Sequence, residues 1–431
     1  MDLEVVEICA GAGGQALGLE RAGFEHALAV ELDAAACATL RANRPAWKVA
    51  EGDVADPALW RPRDYRGVAL LAGGVPCPPF TVAGRQLGAA DERDLFAWAV
   101  ELCGIVRPRA LLLENVRGLS TRRFSAYRQH VLDRLAELGY VPRWRLLQAA
   151  DFGVPQLRPR TVLVALRAED APWFRWPSPS GRGPATVGQT VGDLMGARGW
   201  PGAAAWARQA NRIAPTIVGG SKKHGGADLG PTRAKQAWAD LGVDGLGIAD
   251  AAPDRDADPA LRPRLTCEMV IRLQGWRDEW GWQFSGRKTA RYRQIGNAFP
   301  PPVAEAVGTA IRRALEHSGS PGWPAPAPVG HAAHVHDPVF RALRSRDDFL
   351  TARQLADLVT ATARTSASRA AGGLSPAAVL QHLRHLSQDF ELEIADSLDG
   401  PAYRLGGFRA FLGQQDHARH RLFTATRSTI S

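Results

Sequence analysis

The chain has 431 residues, which is long enough for two to three structural units, and its hydrophobic (45%) and charged (23%) fractions are ordinary for a globular protein in water. No apolar run approaches the length needed to cross a bilayer, which excludes an integral membrane protein. The net charge of +9 favours a polyanionic partner, although a GC-rich genome would explain most of the arginine content.

The cysteines point to a reducing compartment. They are odd in number, scattered, and contain no Cys-x-x-Cys pair, which argues against both a disulfide framework and a zinc site. The first residues lack the basic segment and apolar run of a signal peptide. We therefore expect a soluble cytoplasmic protein without a metal. The cysteines are Cys9, Cys37, Cys77, Cys103 and Cys267.

Short apolar runs alternate with amphipathic stretches over residues 1–166, and helical spacing is clearest over 95–106. This alternation predicts an α/β, Rossmann-like fold with a mostly parallel sheet covered on both faces. Ligands of such sheets bind beyond the carboxyl ends of the strands. The predicted strands are Val5–Cys9, Ala27–Leu32, Val68–Ala72, Ala110–Glu114, Trp144–Gln148 and Thr161–Leu166.

The composition changes after residue 167. Residues 168–262 are rich in Gly, Pro, Ala and Trp with little periodicity, so we expect an irregular subdomain or partial disorder. Regular patterning returns over 263–317, in Leu265–Leu273 and Val303–Leu315, and a Pro-, Gly- and His-rich linker fills 318–338. The extension 339–431 predicts two or three helices followed by a hairpin, which would suit a winged helix.

Glycines and acids follow the first strands. The run CAGAGG at 9–14 would let the backbone approach a ligand closely and turn into a helix over Gln15–Arg21. Glu31 closes the second strand, where it could accept hydrogen bonds from a ribose, and Asp53 could accept from an exocyclic amine. Each acid alone is as well explained by a helix cap or loop end. Together they indicate a nucleoside site.

Cys77 lies in the run GGVPCPPFT at 73–81. A cysteine between prolines cannot continue a strand or begin a regular helix, so it is held at a rigid turn just past a buried strand. Most free cysteines are inert core residues. A core residue, however, needs neither the glycine pair nor the flanking prolines, so this context favours a nucleophile.

Glu114 follows four apolar residues, 110–113, at another carboxyl end. Desolvation there would raise the pKa of its carboxyl, as suits a general acid. The alternative is an acid that caps a strand–helix junction.

These blocks resemble the signature motifs of DNA (cytosine-5) methyltransferases of the bacterial restriction–modification type. The resemblance rests on GAGG (11–14), GGVPCPPF (73–80), ENV (114–116), QLRPR (156–160) and QIGNA (294–298), in that family's order, with RLTCE (264–268) before the last. It spans residues 3–315 and leaves out the C-terminal part. The resemblance makes 1–167 and 263–317 the catalytic core and 168–262 the target-recognition domain.

The resemblance implies a transfer from S-adenosylmethionine to carbon 5 of a flipped-out cytosine in double-stranded DNA. Carbon 5 is a poor nucleophile until the Cys77 thiolate adds at carbon 6. Glu114 would then bind or protonate ring nitrogen 3, Arg160 would contact the cytosine carbonyl, and Arg158 would support the same site. The base that removes the carbon 5 proton has no candidate, and residues 81–94 would close on DNA as a lid.

The same resemblance gives the binding residues. Two of the cofactor positions depart from the family pattern, because Cys9 and Leu32 stand where phenylalanine and tryptophan can occur, which implies a more aliphatic contact with adenine. The cofactor set is Cys9, Gly11, Gly13, Gly14, Glu31, Leu32, Asp53, Val54 and Asn297. The best segment for DNA contact is 213–226, which could equally be a solvated loop. The DNA-binding set is Arg93, Lys222, Lys223, Arg233 and Lys235.

The same residues argue against three other functions. An RNA cytosine-5 methyltransferase would have a small variable region, whereas 168–262 is long. A catalytically dead DNA-binding homologue would have lost Cys77 or Glu114. A dinucleotide oxidoreductase has no use for the proline-flanked cysteine. We further expect a functional link to a cognate restriction endonuclease, a monomer on DNA and a place near the bacterial nucleoid. We favour packing or dimerisation over DNA binding as the role of the extension 339–431.

Overall fold

The computed structural model describes residues 3–76, 94–121, 124–181, 183–220, 226–321, 337–365 and 374–408. Its contacts divide the chain into two compact units. The first contains Met1–Val75, Cys103–Arg117 and Val141–Ala325, and the second contains Pro76–Leu102, Gly118–Tyr140 and Pro326–Ser431. The predicted recognition segment therefore belongs to the same compact unit as most of the predicted core.

A seven-stranded sheet forms the centre of the first unit, in the order β3-β2-β1-β4-β5-β7-β6. The pairs β1–β2, β1–β4, β2–β3 and β4–β5 are parallel, and β5–β7 is antiparallel. The strands are β1 (Glu4–Ile8), β2 (Glu25–Glu31), β3 (Val49–Glu51), β4 (Leu70–Gly73), β5 (Ala110–Val116), β6 (Tyr140–Gln148) and β7 (Pro159–Arg167). The α/β fold and the six predicted strands are confirmed. The three-residue β3 was missed because it is too short to show periodicity.

Helices lie between and after these strands. Up to residue 315 they are α1 (Gly14–Arg21), α2 (Ala34–Asn43), α3 (Asp94–Val106), α4 (Ser125–Glu137), α5 (Val187–Gly196), α6 (Ala203–Gln209), α7 (Thr232–Ala239), α8 (Cys267–Leu273), α9 (Lys288–Asn297) and α10 (Pro301–Leu315). None of the helices in the described ranges is long and apolar enough to span a membrane.

The pair α1–α10 covers one face of the sheet. Leu19 of α1 and Val303 and Val307 of α10 share a buried cluster with strand residues such as Val5. A Cβ on Gly18 would lie 2.5 Å from the Cβ of Ala304, so the two helices touch at this glycine. This packing fixes the start of α1, and with it the turn that follows β1.

The segment 168–262 is more regular than predicted. It contains α5, α6 and α7, whose buried tryptophans Trp206 and Trp238 join Trp200 in a second hydrophobic cluster. These helices have only 7–10 residues, and each presents few buried positions. The expectation of an irregular or disordered segment was therefore wrong for these stretches, since a short helix held by a tryptophan leaves little periodicity in the sequence.

The second unit contains a three-stranded sheet in the order β8-β10-β9. Its C-terminal elements are α11 (Pro338–Arg344), β8 (Leu350–Thr351), α12 (Ala352–Thr365), α13 (Pro376–Asp389), β9 (Phe390–Ser397) and β10 (Gly400–Phe408). Three helices followed by an antiparallel hairpin give the element order of a winged helix, as the sequence suggested.

The extension contacts α4 within this second unit. The Arg344 guanidinium lies 2.8 Å from Glu137 and 3.3 Å from Asp133. The ring of Phe390 meets that of His130 edge-on at 5.5 Å. The C-terminal extension is therefore packed on a helix that precedes β6 in the chain.

The end of β7 is tied to the end of α10 through a fully buried acid. Asp170 has no exposed side-chain surface, and Arg109 Nη2 lies 2.6 Å from its Oδ1. The same Arg109 nitrogen donates to the Leu315 carbonyl at 2.7 Å, and His317 Nε2 lies 3.0 Å from Asp170. A buried carboxylate is stable only while such partners remain.

Replacing Arg109 should test this anchor. Arg109→Ala should lower the free energy of unfolding by about 3–5 kcal/mol, because it leaves the Asp170 carboxylate buried without its cation. The control is Arg198→Ala, which removes an exposed pair at 3.8 Å and should cost about 0–1 kcal/mol. Urea unfolding measures both. Equal losses in the two variants would show that Arg109 does not anchor this corner.

Candidate active site

The turn after β1 is built from left-handed residues. Cys9, Gly11 and Gly13 have φ of 51°, 57° and 89°. A Cβ on Gly13 would lie 2.4 Å from the Trp282 ring, and one on Gly14 would lie 2.4 Å from the Phe299 carbonyl oxygen. A Cβ on Gly11 would meet nothing within 4 Å. Gly13 and Gly14 are thus required for packing, whereas Gly11 leaves open space in which a ligand could approach the backbone.

Glu31 joins this turn to the next one. Its Oε2 accepts from the Gly11 amide and its Oε1 from the Asp33 amide, both at 2.7 Å. A carboxylate has about four acceptor positions, so capacity remains for a ligand hydroxyl. The next residue, Leu32, is 67% exposed. An acceptor beside an exposed apolar side chain fits the sugar and base of a nucleoside.

Asp53 and Val54 follow β3 but differ in what they offer. Asp53 Oδ1 accepts from the Ala55 amide at 3.0 Å. The Val54 side chain is buried, and its carbonyl accepts from Trp60 Nε1 at 2.7 Å. Any contact of Val54 with a ligand would therefore need its remaining backbone atoms.

Glu114 sits near the end of β5, at the carboxyl edge of the parallel strands. The antiparallel register pairs Val116 with Arg160, which brings the start of β7 to the same edge. Arg160 Nε lies 2.6 Å from Glu114 Oε1, and both side chains are about nine-tenths buried. Asn115 Nδ2 donates to the Val75 carbonyl at 3.2 Å and so ties this strand end to the residues after β4.

Burial dominates the chemistry of Glu114. It raises the pKa of the carboxyl above its ordinary value, and the neighbouring Arg160 and Arg158 guanidinium groups oppose that shift. A raised pKa extends the pH range over which the carboxyl holds its proton, which is the form that a hydrogen-bond donor or general acid requires. The sequence prediction of a desolvated acid at this position is in line with this environment.

Arg158 is a clamp between segments. It is 1% exposed, and its Nη1 donates to the Ile217 carbonyl at 2.7 Å. Its Nη2 donates to the carbonyls of Gly296 and Ala298 at 2.7 and 2.9 Å. Three hydrogen bonds of this guanidinium therefore go to backbone oxygens. The expected role of Arg158 in supporting the cytosine site stays a prediction.

A pair of glutamines that the sequence alone does not single out continues this network. Gln156 is fully buried, accepts from the Ile217 amide at 2.9 Å and donates to Gln274 Oε1 at 2.5 Å. Gln274 Nε2 in turn donates to the Ile295 carbonyl at 2.9 Å. Gln156 is the first residue of the QLRPR block, whereas Gln274 lies between the blocks RLTCE and QIGNA and belongs to neither.

The described part of the proposed DNA-contact segment is held against the last block. A Cβ on Gly219 would lie 2.4 Å from Asn297 Oδ1, and one on Gly296 would lie 2.6 Å from the Gly219 Cα. Asn297 Nδ2 also reaches the Gly220 carbonyl at 3.4 Å, although its side chain is otherwise exposed. Residues up to 220 are therefore part of the packed site rather than a solvated loop.

The basic residues differ in availability. Lys235 Nζ is paired with Asp228 at 2.9 Å, whereas Arg233 is exposed and makes no ion pair with the described residues. Arg233 is thus the better placed of the two for a phosphate or a base. Four predicted site residues lie outside the described part of the chain, as does the predicted lid over 81–94 except for its last residue. These residues are Cys77, Arg93, Lys222 and Lys223.

Three of the remaining cysteines are unsuited to nucleophilic chemistry. Cys37, Cys103 and Cys267 are buried. Burial raises the pKa of the Cys37 thiol to about 12 and that of Cys267 to about 11. A nucleophilic cysteine needs its thiolate form at neutral pH.

The fold and the site define an α/β enzyme class that binds a nucleoside-type cofactor beside a buried acid and arginine pair. The family description C-5 cytosine-specific DNA methylase matches residues 3–313. The chain belongs to this family, whose members transfer a methyl group from S-adenosylmethionine to carbon 5 of cytosine in DNA.

Individual relatives agree. The chain is 60% identical over 433 residues to the Type II methyltransferase M.NaeI of Lentzea aerocolonigenes, covering all of this chain and 99% of that protein. It is 50% identical to the Type II methyltransferase M.NgoMIV of Neisseria gonorrhoeae, over 73% of this chain and 99% of that protein. The solved structure of Spodoptera frugiperda DNMT2 shares the fold, with a TM-score of 0.51 and 16% identity over 72% of this chain and 99% of that one.

The contact at Gly219 generates a prediction for stability. Gly219→Ala should lower the free energy of unfolding by about 1–3 kcal/mol, because the added methyl group collides with Asn297 and the Arg293 carbonyl. Gly226→Ala is the matched control, since a Cβ there would meet nothing within 4 Å. Urea unfolding of both variants checks this. A Gly219→Ala protein as stable as its control would contradict the close packing of this segment.

Proposed function

We propose that Cys77 is the nucleophile of this methyltransferase. Its thiolate adds to carbon 6 of the target cytosine, which makes carbon 5 nucleophilic enough to take the methyl group that S-adenosylmethionine would supply. The thiolate leaves again after a base has removed the carbon 5 proton. The motif GGVPCPPF at 73–80 supports this assignment. So does the burial of Cys37, Cys103 and Cys267, which leaves few thiols able to ionise.

Glu114 and Arg160 act on the cytosine ring in this proposal. The protonated Glu114 carboxyl donates to ring nitrogen 3 and offsets the electron density that the thiolate adds, while Arg160 binds the cytosine carbonyl. The observation that carries the proposal is the 2.6 Å contact of these two buried groups at the carboxyl edge of the sheet. Arg158 serves as a positioning residue.

The same carboxyl edge of the sheet is the basis for the proposed cofactor residues. When bound, S-adenosylmethionine supplies a methyl group on a positively charged sulfur. Glu31 accepts from the ribose, Leu32 contacts the adenine face and Gly11 allows close backbone approach. The open space at Gly11 and the exposed Leu32 fit such a group. The remaining predicted contacts are Cys9, Gly13, Gly14, Asp53, Val54 and Asn297.

Each region of the chain has its own proposed role. Residues 1–167 and 263–317 carry catalysis, 168–262 reads the DNA sequence, 318–338 links, and 339–431 is an accessory extension. The match to M.NgoMIV, which covers 99% of that protein but only 73% of this chain, supports an accessory role for about a quarter of the chain. Arg93, Lys222, Lys223, Arg233 and Lys235 are the proposed DNA contacts.

The biological setting follows from the relatives. Two Type II methyltransferases match nearly their whole length to this chain, which supports protection of host DNA against a cognate restriction endonuclease. The enzyme acts as a monomer on double-stranded DNA, in the cytoplasm beside the nucleoid, and flips the target base out of the helix.

A cysteine variant tests the nucleophile. Bisulfite sequencing of DNA from cells that express the wild type should show 5-methylcytosine at one sequence, and Cys77→Ser should leave none. Cys103→Ala, at a buried cysteine away from the chemistry, should still methylate. In vitro, wild type should form a covalent adduct with 5-fluorocytosine DNA that Cys77→Ser cannot form. Methylation by Cys77→Ser would refute the nucleophile, and an inactive wild type would refute the function.

A second variant tests the acid. Because burial raises the pKa of Glu114 above its ordinary value and the proposed donor is the protonated carboxyl, kcat/KM of the wild type should fall as pH rises through that pKa. Glu114→Gln should lower kcat about 10²–10⁴-fold and abolish this alkaline limb. Glu25→Gln, on an exposed acid of β2, should preserve both the rate and the profile. An unchanged alkaline limb in Glu114→Gln would assign the ionisation to another group.

A further inference from the structure

Gln15, the second residue of α1, has an unusual environment. Its side chain is 3% exposed, and neither its amide nitrogen nor its amide oxygen has a hydrogen-bond partner among the residues that the structure describes. Buried amides are almost always paired in native proteins, because an unpaired one loses its water without compensation. The predicted site residues did not include Gln15, although it directly follows the glycine turn. Its burial without a partner indicates that something other than the protein completes its hydrogen bonds.

The amide faces the site. Gln15 Oε1 lies 3.9 Å from the position that a Cβ on Gly74 would take. Glu114 Oε2 lies 3.6 Å and the Cys9 carbonyl oxygen 3.8 Å from that same position. Three oxygens therefore converge on one glycine, between the turn after β1 and the buried acid. The oxygens of Gln15 and Cys9 are both acceptors, which favours a ligand group that carries positive charge and several N–H donors.

We propose that Gln15 is a cofactor-binding residue whose amide oxygen accepts a hydrogen bond from the α-ammonium of S-adenosylmethionine. The inference rests on the proposed cofactor site. The ammonium has three donors and a full charge, so it suits the oxygens of Gln15 and Cys9 better than the cofactor carboxylate or sugar does. A neutral amide can accept from the ammonium without repelling the carboxylate that lies next to the ammonium in the cofactor. Leaving Gln15 unpaired until the ligand arrives makes the site selective for the amino-acid end of the cofactor.

Two ligands separate this end from the rest of the molecule. S-adenosylhomocysteine carries the ammonium and carboxylate, whereas 5′-methylthioadenosine lacks both and keeps adenine and ribose. Isothermal titration of the full-length protein should give a Kd for S-adenosylhomocysteine that is at least about tenfold weaker in Gln15→Leu than in wild type. The Kd for 5′-methylthioadenosine should stay within about twofold. The melting temperature of Gln15→Leu should not fall, because leucine removes an unpaired polar group.

A charged variant identifies the contacted group by sign. Gln15→Glu places a carboxylate beside the ligand, so it should keep or strengthen S-adenosylhomocysteine binding if the partner is the ammonium. It should weaken that binding if the partner is the ligand carboxylate, and this result would overturn the assignment. Gln388→Leu, the same change on the exposed face of α13, is the matched control and should bind both ligands as wild type does.

Other outcomes are equally decisive. An unchanged Kd for S-adenosylhomocysteine in Gln15→Leu would refute the contact. Equal weakening of both ligands would mean general damage to the pocket and would refute it as well. If wild type bound neither ligand, the proposed cofactor function itself would fail. That result differs from failure of the Gln15 contact, in which wild type binds S-adenosylhomocysteine normally.

Discussion

The buried guanidinium of Arg158 is the interaction on which the rest of the site depends. It donates to the carbonyl of Ile217 and to those of Gly296 and Ala298, and so it joins two segments that lie far apart in the chain. Removing this group would take a donor from the Ile217 carbonyl and would leave the Gly296 and Ala298 carbonyls with Gln274 Nε2 alone. A buried acceptor left unpaired costs roughly 1–3 kcal/mol. Gln156 and Gln274 bind the same backbone segments. The recognition segment, the last sequence block (294–298) and the start of β7 therefore behave as one packed body.

This clamp also sets the electrostatics of the acid. Arg158 brings a second positive charge near Glu114, in addition to the direct contact of Arg160, and both lower the carboxyl pKa. Burial acts in the opposite direction and outweighs them. The same arginines that hold the site together therefore limit how strongly the acid keeps its proton. A carboxyl in this position is tuned by two opposing effects rather than by burial alone.

Sequence reasoning succeeded where the pattern is local. Continuous apolar runs gave six strands of the sheet, and Glu114 was expected to be desolvated because it ends such a run. It failed where tertiary packing decides. The sequence could not show that Gly13 and Gly14 are also required for packing against Trp282 and Phe299. The hydrogen bonds of Arg158 to distant backbone, and the unpaired amide of Gln15, become visible only once their surroundings are known. The helices within 168–262 were too short to predict.

The close approach of Gly219 to Gly296 has an evolutionary consequence. A gene fusion that replaces the recognition segment would take these two glycines from different parents. Any side chain larger than hydrogen at either one would push the donor segment off the recipient. Successful exchange of target specificity is therefore confined to parents that share this contact, or to crossover points chosen so that both glycines come from one of them.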